Sequence, residues 1–417
     1  MGVSDLPIPR LTFNHPCLNM FEMESQMPRN WLLAVGATVV VGVVFAIPAP
    51  VPAAPLAQEK KDDLKKRVEE SVEKGLEWLK RTQAQDGHWE AQGGQYPTTM
   101  TALAGMCFLM EGSTLKEGKY SDQVQKAVTW FLSANRQQPT GLLGDVRNPT
   151  ESQRYMYGHG FGTMFLASVY GEEEDKDQRE KLEKALKKAV EFIGKAQTSK
   201  KHRKPEGKDV DVGGWGYVSA TDNSNFDEGS VTITQVQALR AARNAGIPVP
   251  KETIDKAVAY LEACTTPKGG VIYSYAGSNG NALNGQERPP ITAAAVACSF
   301  GAGQYKGELA KKWVKFCKDN IPVAKGRVNH DEYQSYYFSQ FVYILGDDRY
   351  GELFPKEDKN SWLTWSKYKE AIYPYLIDSQ DKNSGAWTSG YIGQVFSTAV
   401  NLTILQLEKG ILPIYQR

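Results

Sequence analysis

Charge of one sign is missing from this sequence. Its 49 lysines and arginines stand against 48 aspartates and glutamates, so no broad field exists to steer a polyanion. The one local excess, Lys195 to Lys208, lacks interleaved aromatics for stacking on bases. It reads as a solvated loop, and a nucleic-acid partner is excluded. Cysteine is scarce as well, five in 417 residues. Cys107, Cys264, Cys298 and Cys317 lie in apolar helical runs, without CxxC spacing or a nearby histidine. That pattern offers no zinc site and suits small buried hydrophobes; a disulfide in an oxidising compartment stays open, but its pairing is not readable. No metal and no cofactor is implied.

Long apolar runs are absent with one exception. Arg29 precedes an uninterrupted run from Trp31 to Ile47, and Pro48 to Ala57 is rich in proline and alanine. A basic start, an apolar middle and a small-residue end describe a secretory signal. The run is short of the roughly 20 residues that span a bilayer, which leaves an uncleaved membrane anchor as the alternative. Met27 is a candidate true start. The expected division is residues 1–57 as signal or anchor, and residues 58–417 as one exported domain, periplasmic or extracellular.

What the sequence does have is a repeat. Its clearest copy runs from Lys74 through Gly75, Trp78, Leu79, Gln83 and Gly87 to Trp89. Weaker copies begin at Lys126, Lys188, Lys256 and Lys312, and the last closes on Tyr375, Leu376, Gln380, Gly385 and Trp387. A spacing of roughly 50–70 residues with helical patterning implies stacked helix pairs. From near Lys60, Leu64, Val68, Val72, Leu76 and Leu79 mark one apolar face, stopped at Asp86-Gly87. The next helix, about Tyr96 to Met110, carries almost no charge and must be buried nearly all round. This alternation recurs: amphipathic helices at 119–135, 174–197, 251–264, 306–319 and 361–378, each followed by a charge-poor partner at 155–170, 229–245, 290–303, 331–345 and 393–408.

Six such pairs predict an all-α fold, an (α/α)6 toroid with the charge-poor ring inside. An open solenoid is the rival, but solenoids have shorter, more regular repeats. The long connections are 83–95, 136–154, 198–228, 265–289, 320–330 and 379–392. All run from an outer to an inner helix, which puts them at one end of the ring, around its mouth. Loops of this length in a compact domain are functional or disordered. Trp89, Trp215, Tyr217, Tyr273, Tyr275 and Trp387 favour order here.

The segment Lys74–Glu90 resembles the QW motif of squalene and hopene cyclases. Lys188, Ala189, Phe192, Ile193, Gln197, Gly214 and Trp215 look like a second copy, and Tyr375 to Trp387 like a third. The resemblance covers essentially the whole exported chain at superfamily depth. It implies the terpenoid cyclase and protein prenyltransferase toroid, with Gln83, Trp89, Gln380 and Trp387 tying helices together. The catalytic signatures depart from that pattern. The cyclase acid motif Asp-x-Asp-Asp has only Asp209-Val210-Asp211-Val212 as its nearest string. The zinc residues of prenyltransferases and lanthionine cyclases are absent, and the thioester string of complement-like domains has Asn284 before Gly285, Gln286 and Glu287.

Candidate site residues cluster where loops enter inner helices. His159, Tyr157, Asp227, Arg288 and Glu332 are the catalytic candidates: two carboxylates serve a glycosidase, and a Tyr or His base beside an Arg serves a lyase. Trp215, Tyr217, Tyr273, His330, Tyr333, Tyr336 and Tyr337 are the ligand-binding candidates. Helix capping alone accounts for Asp227, Glu228, Asp331 and Glu332. Three functions compete. The first is an exported toroid that holds an isoprenoid-like or amphipathic small molecule in its central cavity, as the resemblance implies. The second is a polysaccharide lyase or glycosidase acting on a glycan. The third is a non-catalytic scaffold for a protein or peptide. The inner helices also carry hydroxyls and amides such as Thr234 and Gln340, which fit a polar-headed or sugar-like ligand at least as well as a hydrocarbon.

Overall fold

The computed structural model describes residues 54–416, apart from 174, 223–224, 302–305, 325–326, 329–330 and 389. The proposed signal or anchor run therefore lies outside the described residues. So does His330. Within the described residues no helix is long and apolar enough to cross a membrane.

In chain order the helices are α1 (Ala54–Thr82), α2 (Pro97–Glu111), α3 (Ser121–Phe131), α4 (Tyr155–Val169), α5 (Lys176–Ala196), α6 (Gly229–Asn244) and α7 (Lys251–Ala263). They continue as α8 (Pro289–Gly301), α9 (Glu308–Asn320), α10 (Glu332–Leu345), α11 (Arg349–Leu353), α12 (Trp365–Ser379) and α13 (Gln394–Gln406). Helices α1, α3, α5, α7, α9 and α12 are amphipathic. In α5, Leu182, Ala185, Leu186, Ala189, Val190, Phe192, Ile193 and Ala196 form the buried face. Their three-to-four spacing leaves the lysines and glutamates in water, and Asp175 caps the helix by accepting from the N–H groups of Asp177 and Gln178. The partner helices are buried nearly all round, as in α2 from Pro97 to Met110.

The inner helices pack in sequence, α2 on α4, α4 on α6, α6 on α8, α8 on α10 and α10 on α13, and α13 returns to α2. The ring is closed, which decides the toroid over the solenoid. Close approach is permitted by small residues: a Cβ on Gly160 of α4 would lie 2.7 Å from Thr234 and Gln235 of α6.

The recurrent residues make the joints. Gln83 donates to the carbonyls of Gly87 and of Gln123 at the start of α3 (2.9 and 3.0 Å). Gln197 reaches Gly213 and Thr253 in the same way, and Gln380 reaches Gly385 and Ser71 of α1. The indoles of Trp89, Trp215 and Trp387 donate to the carbonyls of Leu79, Ile193 and Leu376 at 2.7–2.8 Å. Gly87, Gly141, Gly269 and Gly385 have positive φ and press against the carbonyls of Lys126, Lys188, Lys312 and Lys74. Only glycine adopts that conformation without strain and leaves room for the carbonyl. The last of these contacts, Gly385 on Lys74, closes the ring.

Two features depart from the sequence reading. The Lys-rich stretch is not a plain loop: β1 (Lys200–Arg203) pairs antiparallel with β2 (Asp209–Val212), Lys201 opposite Asp211 and Arg203 opposite Asp209. Both cross-strand pairs are ion pairs, at 2.7 and 3.3 Å, so the strands are matched by charge. Helix α11 was not anticipated either. It fills the turn between α10 and α12, where Tyr350 packs on Phe354 and Trp362. A second short hairpin joins β3 (Val323–Ala324) to β4 (Arg327–Val328).

The six outer-to-inner connections enter the N-termini of the inner helices, as expected. At the other end the C-terminal segment returns to the ring. Its turn Pro413–Tyr415 packs on α6, and Tyr415 reaches the hydroxyl of Tyr336 at 2.8 Å.

Candidate functional site

Two mouth loops are fastened to neighbouring inner helices through the helices' own free N–H groups. Met156 of α4 donates to the carbonyl of Tyr217 (3.1 Å), and Gly229 of α6 donates to that of Tyr273 (2.9 Å). Each bond satisfies a donor that the first turn of a helix leaves open. Together they bring Tyr217 and Tyr273 side by side, with their hydroxyls hydrogen-bonded to each other. Both are partly exposed and form a rim. Arg154, the residue before α4, lays its guanidinium over the Tyr217 ring, 4.8 Å from the centroid.

Beneath the rim lies a buried floor. Glu228 caps α6, accepting from Ser230 N and Val231 N at 3.2 and 2.8 Å, and its carboxylate takes the Ser230 hydroxyl at 2.6 Å. Tyr157 hydrogen-bonds to Ser230 and donates to Glu228 at 3.4 Å, and its ring lies 5.9 Å from that of Tyr217. Glu228 is fully buried, and that burial raises its carboxyl above the ordinary range. Burial likewise pushes the phenols of Tyr157, Tyr273 and Tyr333 well up, and the Glu228 charge adds to each. These four side chains thus feel one another across α4, α6, α10 and the Tyr273 loop. Held protonated near neutral pH, the phenols offer donors and ring faces, and none serves as a resting base.

Deeper, side chains meet across the ring. Phe161 of α4 faces Tyr336 of the opposite helix α10, ring centroids 6.5 Å apart. Gln237 of α6 donates to Gln340 of α10 at 3.0 Å, past the intervening α8. Tyr337 packs between Tyr333 and Tyr336, 4.9 Å from each. The mid-level of the ring is therefore packed, and packed with amides and phenols. The tyrosines expected to bind ligand fall into three levels: Tyr217 and Tyr273 above, Tyr333 in the floor, Tyr336 and Tyr337 in the packed centre.

The remaining candidates are placed elsewhere. His159 is fully buried. Its Nδ1 accepts from Leu143 N (3.0 Å) and its Nε2 meets the Ala189 carbonyl (3.2 Å), so both ring nitrogens serve the backbone. Burial lowers its pKa to about 4, and the ring is neutral. It occupies the station that Thr101, Thr232, Thr292 and Thr398 hold elsewhere, each accepting from the N–H of Trp89, Trp215, Val271 and Trp387. Its place is in the joint of the second pair. Asp227 is also fully buried, paired with Lys200 at 2.6 Å and taking bonds from Tyr260, Ser274, Tyr275 N and Ala276 N. It anchors the hairpin and the Tyr273 loop, with no exposed oxygen for a substrate. Trp215 is a joint residue. Glu332 accepts from Ser397 of α13 at 3.1 Å, in the wall between α10 and α13. Arg288 immediately precedes α8, beside the segment that carries Tyr273, through its N–H to the Val271 carbonyl. The five catalytic candidates thus engage different parts of the wall.

Three members of the cluster were not singled out from sequence: Glu228, read as a cap only, Ser230 and Arg154. Glu228 does cap its helix, and the acid-x-serine spacing at a helix start was the available signal for the pair. Arg154 had none, being one basic residue among 49. Among the described residues no group of three His, Cys, Asp or Glu is placed to hold a metal ion, and the four described cysteines are free and buried. Among the described residues, four of the seven exposed large hydrophobics sit on mouth loops: Val146, Phe226, Leu283 and Tyr391.

No protein-family model matches this chain, and no curated protein does. Solved structures do. The α-1,6-mannanase GH76A of Salegentibacter sp. HEL1_6, an inactive variant in complex with α-1,6-mannotriose, superposes with a TM-score of 0.54 at 10% identity, over 82% of this chain and 99% of that one. The unsubstituted mannanase gives 0.52 at 11%, over 81% and 97%. The type II terpene cyclase MstE from Scytonema gives 0.49 at 14%, over 84% and 99%. At such identities the likeness is one of fold: the chain is an α/α toroid, the architecture that the resemblance to terpenoid cyclases implied.

Proposed function

We propose that this chain binds a glycan at the mouth of its ring, on the rim formed by Tyr217, Tyr273 and Arg154. The observation that carries the reading is the paired, partly exposed tyrosines with linked hydroxyls. Such a surface offers ring faces to the apolar faces of sugars and donors to their hydroxyls, the mix that small-molecule sites use. The polar centre of the ring supports a sugar over a hydrocarbon. An isoprenoid that displaced the Gln237–Gln340 contact would leave that bond unmade in an apolar contact, at about 1–3 kcal/mol. The mannanase complex is in keeping with an oligosaccharide on this architecture. The reading is one of binding, because the floor's carboxyl is buried in a helix cap and the phenols are held protonated.

The experiment is a binding screen of the purified protein against neutral and acidic oligosaccharides, with squalene and a polyprenyl phosphate in detergent as the competing class. Saturable binding of at least one oligosaccharide, with micromolar to millimolar Kd, is expected. Binding of the isoprenoids alone would overturn the glycan reading.

A further inference from the structure

The rim carries a cation that the fold does not neutralise. Several basic side chains of the mouth loops are paired, Arg136 to Glu151, Arg147 to Asp145, Lys200 to Asp227, Lys201 to Asp211 and Lys204 to Glu262, while Arg288 has a buried Nε without a hydrogen-bond partner. Arg154 differs. It makes no side-chain bond to its own helix, it is partly buried, and its charge rests on the Tyr217 ring. Among the described residues no carboxylate stands within ion-pair distance of it. Glu228, the acid of the floor below, has its oxygens taken up by Ser230, Val231 and Tyr157. The Arg154 charge also acts weakly on Tyr273, the second rim tyrosine. A guanidinium drawn out of water without a counter-charge is costly, and its planar fork matches a two-oxygen anion.

We infer that the ligand is an anionic glycan, and that Arg154 holds its carboxylate or sulfate substituent while Tyr217 and Tyr273 take the sugar ring. This rests on the glycan reading and adds the substrate class. Arg154 is the last residue before α4 and its guanidinium covers a face of Tyr217, so a substituent gripped there sits beside that ring, with the sugar toward Tyr273 and the linked hydroxyls. A lysine would keep the charge but lose both the fork and the stack on Tyr217.

Titration calorimetry of the full chain with tetragalacturonate, its methyl ester and a sulfated galactotetraose tests this. The free acid or the sulfated tetramer should bind at least tenfold tighter than the ester, as one charge-assisted bidentate contact provides, and the tighter of the two identifies the substituent. Arg154→Gln should bring that ligand to within about twofold of the ester measured on the same variant; Arg154→Lys should fall between. An ester bound as tightly as both anions, or an Arg154→Gln variant that weakens acid and ester alike, overturns the anionic assignment and leaves the glycan reading standing. If none of the three binds while a neutral oligosaccharide of the screen does, the anionic assignment falls alone; if no oligosaccharide binds, both fall.

Discussion

At the scale of single residues, His159 shows how one position exchanges chemistry for architecture. In four other joints a threonine hydroxyl takes the backbone N–H; in the second pair an imidazole does, and its other nitrogen reaches Ala189. The folded ring has a pKa of about 4 against an ordinary 6.5, so the unfolded chain binds more protons between those values. The stability this gives is present above pH 6.5 and is lost as pH falls through the window towards 4, by roughly 3 kcal/mol for a fully buried group. His159→Thr, which restores the residue of the other joints, should flatten that loss. It should also cost about 1–3 kcal/mol at pH 7 through the cavity left beside Phe192. Urea midpoints of both proteins from pH 4 to 7 check it; an unchanged acid slope in the variant would show that His159 does not carry the effect. From sequence, His159 stood out because a histidine at a helix start suits catalysis. Its bonding to two distant carbonyl and amide groups has no local signature.

Among elements, the joints decide the fold. The helices were legible because charge separates the two rings: lysines and glutamates line the outer helices, and the inner ones have almost none. The β1–β2 hairpin was not: β1 is a run of basic residues with no apolar alternation, and β2 alternates Asp with Val over only four residues and fully buries a single valine. Helix α11 is five residues long, too short to show a period. In the site, the tyrosines were legible as aromatics that resist exposure, whereas Arg154 acquires its meaning only from Tyr217, sixty-odd positions along the chain. The closing joint is open to test. A Cβ on Gly385 would stand 2.6 Å from the Lys74 carbonyl at φ +84°, whereas one on Gly93, at φ +73°, would meet nothing within 4 Å. Gly93→Ala measures the cost of the backbone conformation alone, about 1 kcal/mol. Gly385→Ala should cost a further 1–3 kcal/mol, an order-of-magnitude figure for overpacking, and should raise hydrogen exchange in α1 ahead of α7. Equal losses in the two variants would mean that the Gly385–Lys74 contact does not hold the ring shut.

For the whole molecule, closure and near-neutral charge act together. A closed ring gathers six loops at one end and leaves the opposite end to the C-terminal turn, so chemistry concentrates at the mouth. Among the described residues Arg154 and Arg288 are mouth arginines without an ion pair; Arg154 is the one laid on a rim tyrosine, and Arg288 has a buried Nε without a hydrogen-bond partner. The most direct measurement of the central claim is the affinity for the best oligosaccharide in the binding screen, compared between the native protein and Tyr217→Ala/Tyr273→Ala. Removing two stacking faces should weaken binding at least tenfold, about 1.4 kcal/mol or more, while the joints keep the melting temperature within a few degrees, roughly the shift of 1 kcal/mol in a domain of this size. An affinity unchanged in a folded double variant would contradict the account and place the ligand elsewhere on the ring.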